Sequence, residues 1–168
     1  MQKRPSLNIQ PSKLDKFLEI IAVVLLLSLW LSCFWALQHI GPEKLLPIHF
    51  NLKGIPDKYG SKNSLLLPPI MATVLYSGIT FLNKFPETFN YIRPITMENA
   101  HAAYTRATRL MRWLKIGLVF VFCYLEASIL LEAYNIKPGL SNYFSLFFLT
   151  ILLLPTAWYL IQTIRKIG

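Results

Sequence analysis

The stretch Leu46-Pro47-Ile48-His49-Phe50-Asn51-Leu52-Lys53-Gly54-Ile55-Pro56-Asp57-Lys58-Tyr59-Gly60-Ser61-Lys62 decides how the rest of the chain is read. It is short and rich in turn residues, and on each side lies a run apolar enough to cross a bilayer. Four such runs, residues 17–38, 65–83, 113–134 and 143–164, occur in the chain. Each comes close to the ~20 residues that a helix rising ~1.5 Å per residue needs across a hydrocarbon core of ~30 Å. A closed barrel would also satisfy the backbone in lipid, but these runs lack the apolar/polar alternation of barrel strands. The expected fold is all-α: a four-transmembrane-helix bundle with a short structured extracytoplasmic loop and a cytoplasmic interfacial helix. Residues 1–168 are expected to form a single integral membrane domain.

Composition points the same way, with 54% apolar and 14% aromatic residues in 168, well beyond ordinary soluble usage. Lys3, Arg4, Lys13 and Lys16 precede the first run as they would in a signal peptide. Its apolar length exceeds the ~7–15 residues of that class and no small-x-small cleavage site follows, which predicts a retained anchor. Cys33 and Cys123 fall in different spans and at different depths, so no disulfide is expected between them.

A net charge of +9 would suggest nucleic acid in a soluble protein, but here its distribution carries the information. Lys3, Arg4, Lys13, Lys16, Lys84, Arg93, Arg106, Arg109, Arg112, Lys115, Arg165 and Lys166 fall on one side of the spans, and Lys44, Lys53, Lys58, Lys62 and Lys137 on the other. The positive-inside tendency then places both termini and the second loop in the cytoplasm, and the quoted loop outside. No nucleic-acid partner is implied. Oligomeric state is left open.

Within the outer loop, Gly41-Pro42 and Pro47 stop the first helix, Ile48-His49-Phe50 can extend, and Asn51 to Gly54 reads as a turn. Ser64 is expected to cap the second span, whose first turn tolerates Pro68 and Pro69. On the other side, a helix is expected from Thr96, after Pro94, continuing into the third span. Ala100, Ala103, Tyr104, Ala107, Met111 and Leu114 recur on one face, and Arg106, Arg109 and Arg112 line another. Such a helix suits the headgroup layer of an anionic leaflet, as an anchor or as a regulatory lipid or protein contact.

The candidates for chemistry are His49, Asn51, Asp57 and Lys62, which gather imidazole, amide, carboxylate and ammonium groups in one loop. The bland reading has Asn51 and Asp57 bonding nearby backbone in turns while His49 packs over the bundle mouth. The spacing of His49 and Asp57 matches no metal motif, so no cofactor is expected; the alternative is a divalent metal held by His49, Asp57 and Glu126. Glu126, a further candidate for ligand or partner binding or proton handling, or else a neutral acid hydrogen-bonded within the bundle, sits within the third span, roughly 12 Å from its outer end, where a bare carboxylate would cost several kcal/mol. Ser32, Thr73 and Thr150 lie at similar depth as candidate partners. Glu132 lies near the outer boundary, within reach of water or the loop lysines. Six helical residues put Glu126 and Glu132 roughly 120° apart, so they form no carboxylate pair. Trp30, Trp35, Trp113, Trp158 and Tyr159 read as interfacial, lipid-facing or packing aromatics. His39 and His101 are placed at membrane boundaries, and no phosphate loop, nucleophile elbow, His-Glu-x-x-His or Cys-x-x-Cys run is present.

Pro47-Ile48-His49-Phe50-Asn51, with Gly54, Asp57 and Lys62 after it, resembles the Pro-x-His-Phe-Asn…Gly…Asp…Lys signature of an uncharacterised bacterial membrane domain. That domain also occurs in SdpI-like immunity proteins, which protect cells from the sporulation-delaying toxin. Phe89-Asn90-Tyr91 and Thr96-x-Glu98-Asn99, with Tyr104, Arg109 and Trp113-Leu114-Lys115, resemble the small four-span members of the group. The resemblance makes Pro47, Phe50, Gly54, Asn90, Asn99, Tyr104 and Arg109 motif or structural positions and assigns no catalytic residue. The immunity role belongs to longer members with additional spans. The functional expectation is a non-enzymatic membrane protein whose outer loop engages a peptide or toxin, a lipid headgroup or a partner protein, with immunity or envelope-stress protection as one instance. The alternative is a membrane-embedded metal-dependent hydrolase combining the loop His and Asp with an intramembrane Glu.

Overall fold

The computed structural model describes residues 4–51, 53–136, 139–140 and 143–165. Lys3, Leu52, Lys137 and Lys166, used in the sequence reading, lie outside the described residues. The four apolar runs are helices: α1 (Lys13–His39), α2 (Leu67–Leu82), α3 (Met97–Ala133) and α4 (Phe144–Arg165). Counting the 3₁₀ turn Lys62–Leu66 that runs into α2, all four are long and apolar enough to cross a membrane.

Local chemistry accounts for the helix ends. Ser12 caps α1 reciprocally: its hydroxyl accepts the Asp15 N–H at 3.2 Å, and the Asp15 carboxylate accepts the Ser12 N–H at 2.9 Å. At the start of α3, the Asn99 carboxamide oxygen accepts the Thr96 N–H at 3.0 Å, the boundary expected after Pro94. The helix then runs 37 residues without a break, so the amphipathic segment and the third span are one rod. The second span starts differently from the expectation. Ser64 sits inside the 3₁₀ turn and donates to the Ser61 carbonyl at 2.7 Å, and α2 has no side-chain cap. Pro68 and Pro69 are buried in its first turn, where a missing N–H leaves no bond unmade.

The chain is mostly helical, as expected, and the structure in its first loop is a β-hairpin: β1 (Leu46–Phe50) and β2 (Pro56–Gly60) pair antiparallel. The strands pair from Leu46 opposite Gly60 to Phe50 opposite Pro56, with irregular register on both sides of His49. The helices do not contribute equally to a bundle. Helices α1, α2 and α3 pack on one another, whereas α4 leans chiefly on α3 and has no buried residue. Gly117 of α3 permits that approach, because a Cβ there would collide with the Ile151 side chain of α4.

The hairpin is seated on the bundle rather than suspended from it. Leu46 joins Cys33, Ala36 and Ile40 of the α1 end, Leu65 of the 3₁₀ turn, and Ile129 and Ala133 of α3 in one buried cluster, with Phe50 packed against it. Cys33 and Cys123 are both free.

Candidate functional site

The hairpin loop is built by Asn51. Its side-chain oxygen accepts the N–H groups of Lys53 and Ile55 at 2.9 and 3.1 Å, and its own N–H donates to the Ile55 carbonyl at 2.9 Å. Asn51 is therefore spent on turn geometry, as its residue type favours. Gly54 closes the turn with φ +76°. A Cβ there would run into the backbone of Leu140, whose N–H donates to the Gly54 carbonyl at 2.8 Å. The glycine thus serves a left-handed turn and a close approach to the α3–α4 connection at once.

Lys62 has a structural assignment as well. Its ammonium donates to the carbonyls of Leu37 and Ile40, both at 3.0 Å. These belong to the last turn of α1 and the residue that caps it, where carbonyls lack helical partners and the macrodipole favours a cation. Glu132, read from sequence as facing water or the loop lysines, instead accepts from the Tyr59 hydroxyl at 3.1 Å and from the Gly139 N–H. It clamps β2 to the α3–α4 connection. Desolvation, and then the neighbouring Glu132 carboxylate, raise the Tyr59 phenol above its ordinary value.

What the hairpin displays is the pair His49 and Asp57. His49 Nδ1 lies 2.5 Å from the Asp57 carboxylate across the two strands, and both side chains are well exposed. The bland reading is thus right for Asn51 but not for Asp57, which orients an imidazole instead of bonding turn backbone. Of the motif positions, Pro47 is fully buried under the hairpin and Phe50 half-buried beside it.

Glu126 does not join this pair. It is buried, and one carboxylate oxygen is bonded to the Ser32 hydroxyl while the other is buried with no partner. Ser32 also lies 3.0 Å from the Leu29 carbonyl. One hydroxyl hydrogen cannot serve both acceptors, whereas a protonated Glu126 would donate to Ser32 and leave Ser32 to donate to Leu29. Of the other candidates at that depth, Thr73 accepts the Trp30 indole N–H at 2.9 Å and Thr150 donates to the Leu146 carbonyl at 2.8 Å. Among the described residues no group of three His, Cys, Asp or Glu side chains is placed to hold a metal ion.

The opposite end contains a feature the sequence reading missed. Asp15 and Glu19, one turn apart on α1, face Arg109, Arg112 and Lys115 of α3. Arg109 bonds Asp15 at 2.9 and 3.2 Å, Arg112 bonds Glu19 at 3.1 Å, and the fully buried Lys115 reaches Glu19 at 2.5 Å. Lys115 also donates to Thr80 at 3.0 Å and lies over the Tyr76 ring. Most of the basic face expected to meet lipid headgroups is therefore turned inward, toward acids 93 to 96 positions away in the chain. The signal was there: Asp15 and Glu19 are the acids at the mouth of the first span, four apart, matching basic residues three apart on the third.

The remaining motif positions cluster near this lock. Tyr104 is fully buried and donates to the Pro5 carbonyl at 2.8 Å, and its ring meets Tyr91. Arg4 donates to the Glu87 and Phe89 carbonyls at 3.0 and 2.6 Å. Burial pushes the Tyr91 phenol up, reinforced by Tyr159 and Tyr104. Asn99 holds the start of α3 and donates to the Pro94 carbonyl at 3.1 Å, while Asn90 is exposed.

No curated protein and no solved structure matches the chain. The segment that carries most of α1, the hairpin, the 3₁₀ turn and the start of α2, residues 20–73, matches the family model described as "Domain of unknown function (DUF1648)".

Proposed function

We propose that the chain is a non-enzymatic multi-pass protein of the bacterial cytoplasmic membrane, with both termini inside and the hairpin outside, and that the hairpin engages a peptide or a partner protein. The observation that carries this reading is the division of labour among the loop residues. Asn51, Gly54, Lys62, Tyr59 and Glu132 fix the hairpin to the helices, while His49 and Asp57 stay exposed on it. Exposed Ile48, Ile55 and Tyr59 add apolar surface to the hairpin, and a two-stranded sheet leaves strand edges for an extended partner. That combination suits a polypeptide better than a lipid headgroup. Protection against a peptide toxin or envelope stress is one instance, and the basic excess at the other end supports the orientation.

A photo-crosslinker placed at Ile48 in living cells tests this. Adducts that form there and disappear with Asp57→Ala support it. No adduct at Ile48, or labelling of Lys53→Cys only after the membrane is permeabilised, would refute it.

One observation favours the hydrolase alternative: a carboxylate on Nδ1 is how an imidazole is oriented as a metal ligand or general base. That reading also requires Glu126, which is engaged with Ser32 inside the bundle. Equal metal content in wild type and His49→Ala would remove it.

A further inference from the structure

Arg106 differs from its neighbours on α3. Arg109 and Arg112 are matched by Asp15 and Glu19, but among the described residues no acid pairs with Arg106, and its Nε is buried without a hydrogen-bond partner. The Thr163 hydroxyl of α4 is in the same condition. Both residues line one small, largely apolar cavity of about 60 Å³, beside Tyr91, Ile92, Ile95 and Tyr159. Two unmatched polar groups at the wall of one void, one of them cationic, signal a missing acceptor.

The cavity adjoins a larger groove of about 580 Å³ between α3 and α4, and the two share Arg106 and Tyr159. Leu110, Trp113, Leu154, Trp158 and Ile161 line the groove. Its lining is chiefly apolar, and Trp113 and Trp158 are the aromatic type that favours the headgroup boundary. A pocket edged by Arg93 and Arg106 that opens into an apolar trough, at the end of the molecule richest in basic residues, has the two-part chemistry of an anionic amphiphile. Water would fit the small cavity, but it would leave the trough unfilled and the guanidinium charge unpaired. A lipid without a phosphate would fill the trough and leave Arg106 without an anion.

We propose that this composite site binds one anionic phospholipid, its phosphate accepting from Arg106 and Thr163 and an acyl chain lying between α3 and α4. The lipid would also complete the packing of α4. The proposal does not depend on what the hairpin engages.

Native mass spectrometry of the detergent-solubilised full chain, titrated with phosphatidylglycerol or with phosphate-free diacylglycerol, tests it. The first phosphatidylglycerol is expected to bind roughly tenfold more tightly than diacylglycerol, the scale of one charge-assisted hydrogen bond. Arg106→Gln should abolish that preference, and Lys16→Gln, which removes an exposed charge at the same end, should leave it intact. If Arg106→Gln fails to fold, Thr163→Val takes its place, with a several-fold loss expected. Equal binding of the two lipids, equal losses in Arg106→Gln and Lys16→Gln, or full displacement of the lipid by glycerol phosphate would each overturn the proposal.

Discussion

The two ends of the helical core handle charge in opposite ways. At the hairpin end the acid–base pair His49–Asp57 is exposed on β-strands, and the other polar motif residues hold the strands in place. At the opposite end Asp15 and Lys115 are buried, and two acids of α1 pair with three basic side chains of α3. The same residue types thus serve display in one region and assembly in the other. The difference lies in desolvation: an exposed pair contributes ~1 kcal/mol or less, whereas breaking a buried pair strands a charge at a cost of about 3 kcal/mol or more.

That contrast can be broken most severely at the buried end. Glu19→Ala leaves the Lys115 ammonium without its carboxylate and is expected to destabilise the chain by about 3 kcal/mol. A lowered thermal midpoint in detergent would report it. Adding Lys115→Met should recover most of the loss, since the buried charge is then gone. A double variant no better than the single would mean that Lys115 is stabilised by Thr80 and Tyr76 alone.

At the hairpin end, Lys62→Met removes two bonds to the carbonyls at the end of α1 and should cost about 2 kcal/mol. Hydrogen exchange would then rise at Leu37 to Ile40 and along β1, with little change near Asp15. Protection unchanged at the α1 end would show that solvent caps those carbonyls as well as Lys62 does.

The smallest effect on stability belongs to the display pair. Asp57→Asn should change stability by less than about 1 kcal/mol, because both partners are exposed. The same change is expected to abolish crosslinking from the hairpin. A large loss of stability would place Asp57 among the residues that hold the fold.

These distinctions were only partly legible beforehand. The uninterrupted α3 followed from helical spacing and a start signal near Thr96, and the turn at Asn51 to Gly54 from turn chemistry. The flanking strands read only as a short extension at Ile48 to Phe50, because the Pro56–Gly60 strand has no apolar alternation and is defined by its pairing with Leu46–Phe50. Ser32 was among three candidates at the depth of Glu126, and packing rather than depth chose it.

Apolar length and turn chemistry act over a few residues, so the sequence by itself determined the four long apolar helices and the polar loop between the first two. Tertiary structure alone decided that Lys62 caps α1, that Gly54 must admit Leu140, that α4 packs at the margin, and that Arg109 meets Asp15 while Arg106 meets no acid among the described residues. Each of these joins groups tens of residues apart. Which buried charge finds its partner depends on how the helices rotate against one another, and no local spacing encodes that.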